Sequence, residues 1–372
     1  MMRTRITHQD VDDIAVGGAV LGAGGGGDPY LGKLMAQRAI EQYGPPELIP
    51  LREVPDRALI MLPAGIGAPS VIIEKIPRGD EAVGVLKALQ KHLGKKAFAV
   101  MSAEVGGLNG TIPISVAARL KIPVVDADCM GRAFPEVQLV IPNLYGVSAT
   151  PLIMADEKGN QIVLSTVSNE WTELLSRTMA VRMGGFALMA LYPMEGRIAK
   201  KATLPGMVSF CRRIGRTLRS ARQHKKDILA ELLKVTKGTR LFKGKIVNLD
   251  RRVEKGWNLG ELIIQGSDDF RGESMKIDFQ NENLIARIGD KILATVPDLI
   301  TILDQDTAYP ITTEGLKYGL RVTVIGMPCH RKWRTPAGIA LAGPHHFGYD
   351  VPYQPLKANG GVRKRHVSSA GN

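Results

Sequence analysis

Apolar residues at helical spacing near the start of the chain predict two helices that are joined by a run of glycines. The first helix is predicted from four positions that share one helical face: Val11, Ile14, Ala15 and Leu21. Thr7 and Asp10 stand three residues apart before this face, as in a capping box. Asp28 is a favoured N-cap and Pro29 a favoured first helical residue, so a second helix is predicted over 28–44.

Beyond the second helix, short continuous apolar runs alternate with amphipathic segments. The apolar runs 59–63, 97–102 and 123–128 predict buried strands, and the segments 80–94 and 112–120 predict the helices between them. Continuous apolar strands that alternate with helices are typical of a parallel sheet covered on both faces. The predicted fold of this part is therefore a three-layer α/β domain with a mainly parallel sheet.

The pattern changes near Gly238. Before it, the segments 168–191 and 206–236 are predicted as two further helices. After it, short β-rich runs follow one another between turn residues, which indicates a smaller β-barrel or β-sandwich. We predict an α/β domain over 1–237 and a β-rich domain over 238–340. For 341–356 a return to the first domain is left open, and 357–372 are predicted to be a flexible tail.

Composition supports a two-domain globular protein. A chain of 372 residues is too long for one typical core, and 44% apolar with 23% charged residues is an ordinary balance. No apolar run follows the basic residues at the start, and no stretch approaches ~18 apolar residues, so we expect neither a secretory signal nor a membrane span. The three cysteines lack the paired spacing of a zinc site and suit a reducing compartment. We expect a cytoplasmic protein.

The net charge of +13 is concentrated in one segment. Ten Lys or Arg residues and no acidic residue lie within 197–226, where Arg212, Arg216 and Arg219 fall at helical spacing. A nucleic-acid surface would show interleaved aromatic residues or a recognition motif, and neither is present. We therefore interpret the segment as a solvated helix face and expect no nucleic-acid partner.

The glycine run LGAGGGGDPYLG, residues 21–32, is a candidate binding loop. Gly22, Gly24 and Gly27 match the dinucleotide fingerprint, but that fingerprint needs a preceding strand, and here a helix precedes it. Glycines that lead into a helix expose N–H groups that can bind an anion or an oxyanion. The alternative is a tight turn with close backbone packing. We assign substrate binding to the run and its cap: Gly24, Gly25, Gly26, Gly27 and Asp28.

Two segments that follow predicted strands carry further candidates, because sites in parallel α/β sheets lie beyond the carboxyl ends of the strands. After 97–102 come Glu104, Gly106 and Asn109, and after the strand at 123 come Asp126, Asp128, Arg132 and Glu136. Asp126 and Asp128 share one face of an extended chain, as a general base or a divalent metal site requires. In the alternative interpretation, Asp128 caps a turn and Arg132 pairs with Glu136.

Cysteine and histidine give weaker signals. Cys129 has no histidine nearby in the sequence and is interpreted as a packed thiol. His345 and His346 are adjacent in a loop, where extended side chains point in opposite directions, so the metal interpretation is disfavoured. Trp333 and the loop 343–350 either cover the domain junction or form one wall of a ligand site.

Five segments together carry a family resemblance, and they span nearly the whole chain: LGAGGGGDPYLG, SAEVGGLNG, PVVDADCMGRAFPEVQ, WRTPAG and GPHHFGYD. In this order they resemble the DUF917 family, described as S-methyl thiohydantoin desulfurase-like proteins. The resemblance implies an α/β domain followed by a smaller β-barrel domain. It also implies chemistry on hydantoin-type rings, and association with hydantoinase- or oxoprolinase-type proteins.

The function expected from the sequence is hydrolysis of a hydantoin-type cyclic amide, such as the loss of methanethiol from an S-methyl thiohydantoin. Such a reaction needs a base, donors for developing negative charge, and an acid. We assign the base to Asp126 or Asp128, the acid to Glu104 and carboxylate steering to Arg132. Gly106, Asn109 and Glu136 are expected to bind substrate. The competing hypothesis is a non-catalytic partner subunit of a hydantoinase-type enzyme, and in either case we expect a homo-oligomer.

Overall fold

The protein is described here from a computed structural model, which covers residues 3–68, 71, 79–254 and 256–356. The predicted flexible tail, 357–372, lies outside the described residues.

The first sheet is built around a parallel centre. Its strands, in chain order, are β1 (Thr4–Arg5), β2 (Glu47–Pro50), β3 (Leu59–Gly67), β4 (Ala99–Val100), β5 (Val124–Asp128), β6 (Leu152–Ala155), β7 (Gln161–Leu164), β8 (Phe186–Glu195) and β9 (Leu204–Pro205). The spatial order is β1-β2-β5-β4-β3-β8-β6-β7, with β9 paired to β5. Neighbours among β2, β5, β4 and β3 are parallel, and the other strands add antiparallel pairs on either side. The predicted parallel core is therefore confirmed.

Ten helices are found among the described residues: α1 (His8–Leu21), α2 (Pro29–Tyr43), α3 (Glu81–Leu93), α4 (Ile112–Leu120), α5 (Ile141–Leu144), α6 (Asn169–Arg182), α7 (Gly196–Ala202), α8 (Met207–Gln223), α9 (Ile228–Thr236) and α10 (Pro336–Ala342). The first two begin as predicted. The Thr7 hydroxyl accepts a hydrogen bond from the Asp10 N–H at 3.2 Å, and the Asp28 carboxylate accepts one from the Tyr30 N–H at 2.7 Å. Side-chain caps therefore fix the first turn of each helix, and the Asp28 cap lies at the end of the glycine run.

The two long helices predicted over 168–191 and 206–236 are each corrected. Helix α6 ends at Arg182 because Gly184 and Gly185 both take φ of 87°, in the left-handed region. The apolar run that follows is strand β8, which lies between β3 and β6 and is buried along most of its length. The second segment forms two helices, since Asp227 caps α9 by accepting from the Ala230 N–H at 3.0 Å.

The second sheet contains the strands that begin at Thr239. They are β10 (Thr239–Glu254), β11 (Trp257–Gly266), β12 (Ser274–Gln280), β13 (Glu282–Ile288), β14 (Lys291–Thr295), β15 (Leu299–Asp304) and β16 (Arg321–Met327). All neighbours are antiparallel, in the order β14-β13-β12-β11-β10-β16-β15. The sheet curls into a half-barrel around its own apolar core. None of these strands pairs with the first sheet within the described ranges.

The basic helix α8 packs against α1. Glycines allow close contact: a Cβ at Gly17 would lie 2.0 Å from the Cys211 carbonyl oxygen, and one at Gly215 would lie 2.0 Å from that of Asp13. The Arg219 guanidinium donates two hydrogen bonds to the Asp13 carboxylate, at 2.9 and 2.8 Å. Part of this basic face is therefore neutralised by another helix, rather than being fully solvated.

Arg212 and Arg216 also approach an acid of α1, and their guanidinium nitrogens lie 3.6 and 3.5 Å from the Asp10 carboxylate. In the part of the chain described, no helix has the length and apolar character needed to cross a bilayer.

Candidate functional site

A cavity of about 80 Å³ lies where the glycine run, the loop after β4 and the β12–β13 hairpin meet. Apolar side chains form much of its wall, including Met130, Phe134, Val140, Met189 and Leu191. Gly26 and Gly27 also line it, together with the polar side chains of Glu104, Asn109, Glu136, Arg177 and Glu282. A mostly apolar hollow with a few polar groups is the usual form of a small-molecule site.

Glu104 enters the cavity from the loop that follows β4. Its carboxylate accepts hydrogen bonds from Asn109 Nδ2 at 2.6 Å and from the Phe134 N–H at 3.2 Å. Burial raises the pKa of Glu104 to about 8, although both hydrogen bonds favour the ionised form. A carboxyl group with a pKa near neutrality can exchange protons with a bound molecule, so Glu104 is suited to acid–base chemistry.

Asn109 fixes the direction of Glu104. Its Oδ1 accepts from the Gly65 N–H at 2.7 Å, which ties the loop after β4 to the end of β3. Its Nδ2 is then directed to Glu104. Asn109 and Glu104, both candidates from the sequence, are thus brought together.

The glycine run serves both close packing and the cavity. A Cβ at Gly26 would lie 2.5 Å from the carbonyl oxygen of Gly106, and the Gly26 carbonyl accepts from the Leu108 N–H at 2.9 Å. Gly26 and Gly27 take φ of 80° and 79°, which side chains rarely adopt. Gly26 is half-buried and Gly27 buried, both line the cavity, and their N–H groups donate to no acceptor in the described part of the chain.

The other residues predicted in this run hold the packing. The Gly24 carbonyl accepts from the Thr313 N–H at 2.8 Å, so the run is bonded to the second domain. A Cβ at Gly25 would meet the Glu282 carboxyl at 1.9 Å, which only glycine avoids. Asp28 caps α2 and is not among the described residues that line the cavity.

Like Arg177, Glu282 is a polar cavity residue that was not predicted from the sequence. It follows Asn281, which takes φ of 55° at the tip of the β12–β13 hairpin, and its side chain is 1% exposed. Burial raises the pKa of Glu282 well above its usual range; the charge of Glu104 raises it further and that of Arg132 opposes the rise. The signal in the sequence was a polar Gln-Asn-Glu-Asn tip between apolar strands, which is also typical of an ordinary solvated turn.

Asp126 and Asp128 are buried but do not belong to the residues that line the cavity in the described structure. The Asp126 carboxylate accepts from the Ser209 N–H at 2.9 Å, in the first turn of α8. Asp128 Oδ2 accepts from the Gly131 N–H at 2.8 Å and the Val105 N–H at 3.1 Å. Burial nonetheless raises the pKa of Asp128 to about 7. Asp128 thus caps the turn, as the alternative interpretation expected.

Arg132 is fully buried and joins the two domains. Its Nη1 donates to the carbonyl oxygens of Pro297 at 2.8 Å and Asp298 at 2.9 Å, and its guanidinium lies 4.5 Å from the centre of the Phe134 ring. The alternative pairing with Glu136 does not form. Arg132 is not among the described residues that line the cavity.

Glu136 does line the cavity, and its Oε2 lies 3.0 Å from His346 Nε2. His346 thus reaches the site as a partner of a carboxyl group. Trp333 is buried outside the wall, where its Nε1 donates to the Met130 carbonyl at 2.7 Å and its ring meets that of Phe134 edge-on. Cys129 is a buried free thiol, as expected.

A metal site is not formed by the candidate aspartates. Among the described residues, no group of three or more His, Cys, Asp and Glu side chains is arranged to hold a metal ion. We therefore derive no chemical step through a metal.

Comparisons with known proteins match nearly the whole chain, and the two family models meet at 166/167 rather than near Gly238. The family model described as "S-Me-THD-like, N-terminal domain" matches residues 9–166, and that described as "S-Me-THD-like, C-terminal domain" matches 167–356. A crystal structure of a protein from Chromobacterium violaceum is similar, with 22% identity and a TM-score of 0.79, over 95% of this chain and 100% of that one. That similarity concerns the fold. No curated protein matched the chain.

Proposed function

This chain belongs to the S-Me-THD-like family, and we propose that it is a hydrolase acting on hydantoin-type cyclic amides, with an S-methyl thiohydantoin as its substrate class. The observation that carries the proposal is an apolar cavity whose wall contains both Glu104 and the glycines Gly26 and Gly27, with N–H groups that donate to no acceptor among the described residues. The resemblance found in the sequence to S-methyl thiohydantoin desulfurase-like proteins is confirmed at the level of the family.

The cavity suits a small, flat and uncharged ring. Met130, Phe134 and Leu191 offer apolar contacts to ring faces and to a methylthio group. Asn109 and the glycine N–H groups are polar groups at the edge of such a ring. A charged ligand would instead call for an unpaired cation at the wall, and Arg177 is already hydrogen-bonded to Glu173 at 2.7 Å.

The net reaction adds water across the carbon–sulfur bond. Water oxygen bonds to the ring carbon that carries sulfur, and the carbon–sulfur bond breaks. One water proton ends on the adjacent ring nitrogen and the other on sulfur, so that methanethiol leaves and the ring carbon becomes a carbonyl. Negative charge develops on the ring nitrogen when water attacks, and donors that favour this charge lower the barrier.

Glu104 is the base in this proposal. In its ionised form it takes the proton from the attacking water, and the hydrogen bonds from Asn109 and Phe134 hold its oxygens in place. The pKa of about 8 gives an ionised fraction at neutral pH together with a strong tendency to accept a proton. Gly26 and Gly27 supply the donors for the developing charge. The base is thus assigned to Glu104, in place of Asp126 or Asp128.

Turnover of a panel of substrates tests the proposal. Purified protein is given hydantoin, 2-thiohydantoin and S-methyl thiohydantoin, with and without added divalent metal, and methanethiol is detected with a thiol reagent. We expect release of methanethiol from the S-methyl compound and loss of this release in Glu104→Gln. Protein that releases no methanethiol under either condition would reject the proposal.

A different observation favours the second candidate, a partner subunit of a hydantoinase-type enzyme. Four large apolar side chains on and just before α6 are between 46% and 91% exposed: Val167, Trp171, Leu174 and Val181. Exposed apolar residues that cluster in this way are typical of a docking surface. If this candidate is correct, the protein should co-elute with a hydantoinase-type subunit, and Trp171→Lys should abolish the co-elution without changing the fold.

A further inference from the structure

Three carboxyl groups line the cavity: Glu104, Glu136 and Glu282. Glu136 is paired with His346, whereas Glu282 has no role in the proposed mechanism so far. The Asn283 N–H donates to the Ala23 carbonyl at 2.8 Å on one side of it, and the Asn281 carbonyl accepts from the Thr313 hydroxyl at 2.7 Å on the other. These bonds hold the hairpin tip of the second domain against the glycine run. The position of Glu282 in the wall is therefore fixed by backbone contacts.

The hydrogen-bond partners of the two carboxyl groups differ. Glu104 accepts from two N–H donors, which stabilise its negative charge. Glu282 Oε2 is buried and has no hydrogen-bond partner in the described structure. A buried carboxylate oxygen without a donor is costly, whereas a protonated carboxylic acid carries its own donor. Of the two, Glu282 is the group better suited to hold a proton.

The nearby charge leads to the same assignment. Arg132 is the cation that acts on both carboxyl groups, and Nη2 of its guanidinium is buried without a partner. Two other charges are balanced separately: Asp298 is paired with Arg334 at 2.9 Å, and Arg177, which also acts on Glu282, is paired with Glu173 at 2.7 Å. The positive charge of Arg132 can therefore balance only one of the two carboxylates. With a single proton on the Glu104–Glu282 pair, the three side chains of Arg132, Glu104 and Glu282 have no net charge.

We infer that Glu282 is the catalytic acid of the site: when Glu104 is ionised, Glu282 holds the one proton left on the pair, and it gives that proton to the departing sulfur. This inference rests on the proposed function. It assigns the acid to the second domain and the base to the first, so neither domain alone contains a complete site.

The proton steps balance over one turnover. Glu104 takes a proton from water as the carbon–oxygen bond forms, and this proton passes to the ring nitrogen. Glu104 then takes the proton of the new hydroxyl group as the carbonyl forms, while the carbon–sulfur bond breaks and sulfur takes the proton of Glu282. Proton transfer from Glu104 to Glu282 restores the starting state. An acid is needed here because a methanethiolate ion is a poor leaving group.

Gly25 is the positioning residue for this acid. A Cβ at Gly25 would lie 1.9 Å from Glu282 Oε1, while the φ of Gly25 lies outside the left-handed region that disfavours side chains. Gly25→Ala therefore adds a steric wedge without backbone strain. Gly84 in α3 offers a matched control, since a Cβ there meets nothing within 4 Å.

The first experiment compares two leaving groups. S-methyl thiohydantoin needs a proton on sulfur, whereas the S-(4-nitrophenyl) analogue releases a stabilised thiolate that does not. Glu282→Gln should reduce kcat for the methyl compound by roughly 10²–10³-fold, the usual worth of a general acid, and for the nitrophenyl compound by less than about 5-fold. Equal losses for both compounds, or no loss for either, would overturn the assignment.

The same two substrates test whether Gly25 acts through Glu282. Gly25→Ala should reproduce the selective loss for the methyl compound, and Gly84→Ala should leave both substrates unchanged. In a Glu282→Ala background, Gly25→Ala should cause no additional loss, because both changes act through one carboxyl group. Independent, multiplicative losses would show that Gly25 does not act through Glu282.

The second experiment needs no substrate and so separates this inference from the proposed function. Infrared difference spectra of ¹³C-glutamate-labelled protein at pH 9 report protonated glutamic acid. At this pH Glu104 and Glu314, with pKa values of about 8 and about 7, are mostly ionised, and the label excludes Asp128. We expect a carboxylic acid band in the wild type that disappears in Glu282→Gln. A band unchanged in Glu282→Gln would overturn the proton assignment. Wild-type protein that shows this band but hydrolyses neither substrate would reject the proposed function alone.

Discussion

Two pairs among the buried carboxyl groups, Asp126 with Asp128 and Glu104 with Glu282, differ in their surroundings. Asp126 and Asp128 at the end of β5 accept hydrogen bonds from the backbone, at the start of α8 and within a turn. Asp128 Oδ1 and Glu282 Oε2 are both buried without a hydrogen-bond partner in the described residues, but only Glu104 and Glu282 line the cavity. Neither burial nor an unpartnered oxygen therefore marks a reactive carboxyl group by itself; it must also border space that a bound molecule can occupy.

The largest expected effect separates the two pairs directly. Glu104→Gln should lower kcat on S-methyl thiohydantoin by about 10³-fold, since an amide cannot accept the water proton. The matched change Asp126→Asn should leave kcat within about 3-fold of wild type, because it alters no group in contact with the ring. Steady-state kinetics of both variants provide the measurement. If Asp126→Asn lowers kcat as much as Glu104→Gln does, Asp126 rather than Glu104 would be assigned as the base.

The pH dependence sharpens the same comparison. The base must be ionised, so kcat/KM should rise about ten-fold per pH unit below the Glu104 pKa of about 8 and level off there. It should fall again at higher pH, when Glu282 loses its proton. Buffers of constant ionic strength from pH 5.5 to 10 cover this range. A profile that is flat between pH 6 and 8 would contradict the role of Glu104.

Asp128 should affect stability rather than turnover. Its pKa is about 7 in the folded protein against 3.8 ordinarily, so between these values the folded state holds a proton that the unfolded chain releases. Stability contributed by this group is present below pH 3.8 and decreases as the pH rises towards 7. Asp128→Asn removes this titrating group. Above pH 7 it should raise the free energy of unfolding by roughly 1–2 kcal/mol, after the cost of an unpaired amide is subtracted.

Urea unfolding of both proteins at pH 5 and pH 8 measures this difference. The gain should be larger at pH 8 than at pH 5, and an equal gain at both values would argue against a buried titrating carboxyl group.

The smallest effect is expected at the basic helix, away from both pairs. Arg219→Gln leaves the buried carboxylate of Asp13 without its cation and should lower stability by about 1 kcal/mol, with turnover unchanged. Lys225→Gln, on the exposed end of the same basic segment, is the control and should change neither property. Thermal unfolding and kcat report the two outcomes. A selective loss of turnover in Arg219→Gln would assign the helix a part in function.

The start of the chain could be predicted from the sequence because its signals are local. Thr7 with Asp10, and Asp28 with Pro29, fix two helix ends through contacts within a few residues. Strand β8 was missed for the opposite reason. The run Phe-Ala-Leu-Met-Ala-Leu suits a helix by propensity, and only pairing with β3 and β6 makes it a strand. Gly184 and Gly185 were the local sign that the helix ends.

Only the site residues that belong to the first domain could be predicted from the sequence. Glu104, Asn109 and the glycines follow predicted strands and helices, so their neighbourhood could be inferred from the topology of a parallel sheet. Glu282 lies on a hairpin tip that would be solvated in the second domain alone. Its burial depends on contacts with the glycine run, such as that of Asn283 with Ala23, which no local pattern encodes.

The contact between the glycine run and the hairpin also determines when a newly synthesised chain acquires its site. Gly25 and Glu104 leave the ribosome early, whereas Glu282 and its neighbour Thr313 emerge only after most of the chain has been made. A nascent chain therefore carries the glycine run with no hairpin to cover it, although Gly17 of α1 can pack on α8 before the second sheet forms. Activity should appear in a single late step of synthesis, when the half-barrel closes on the loop.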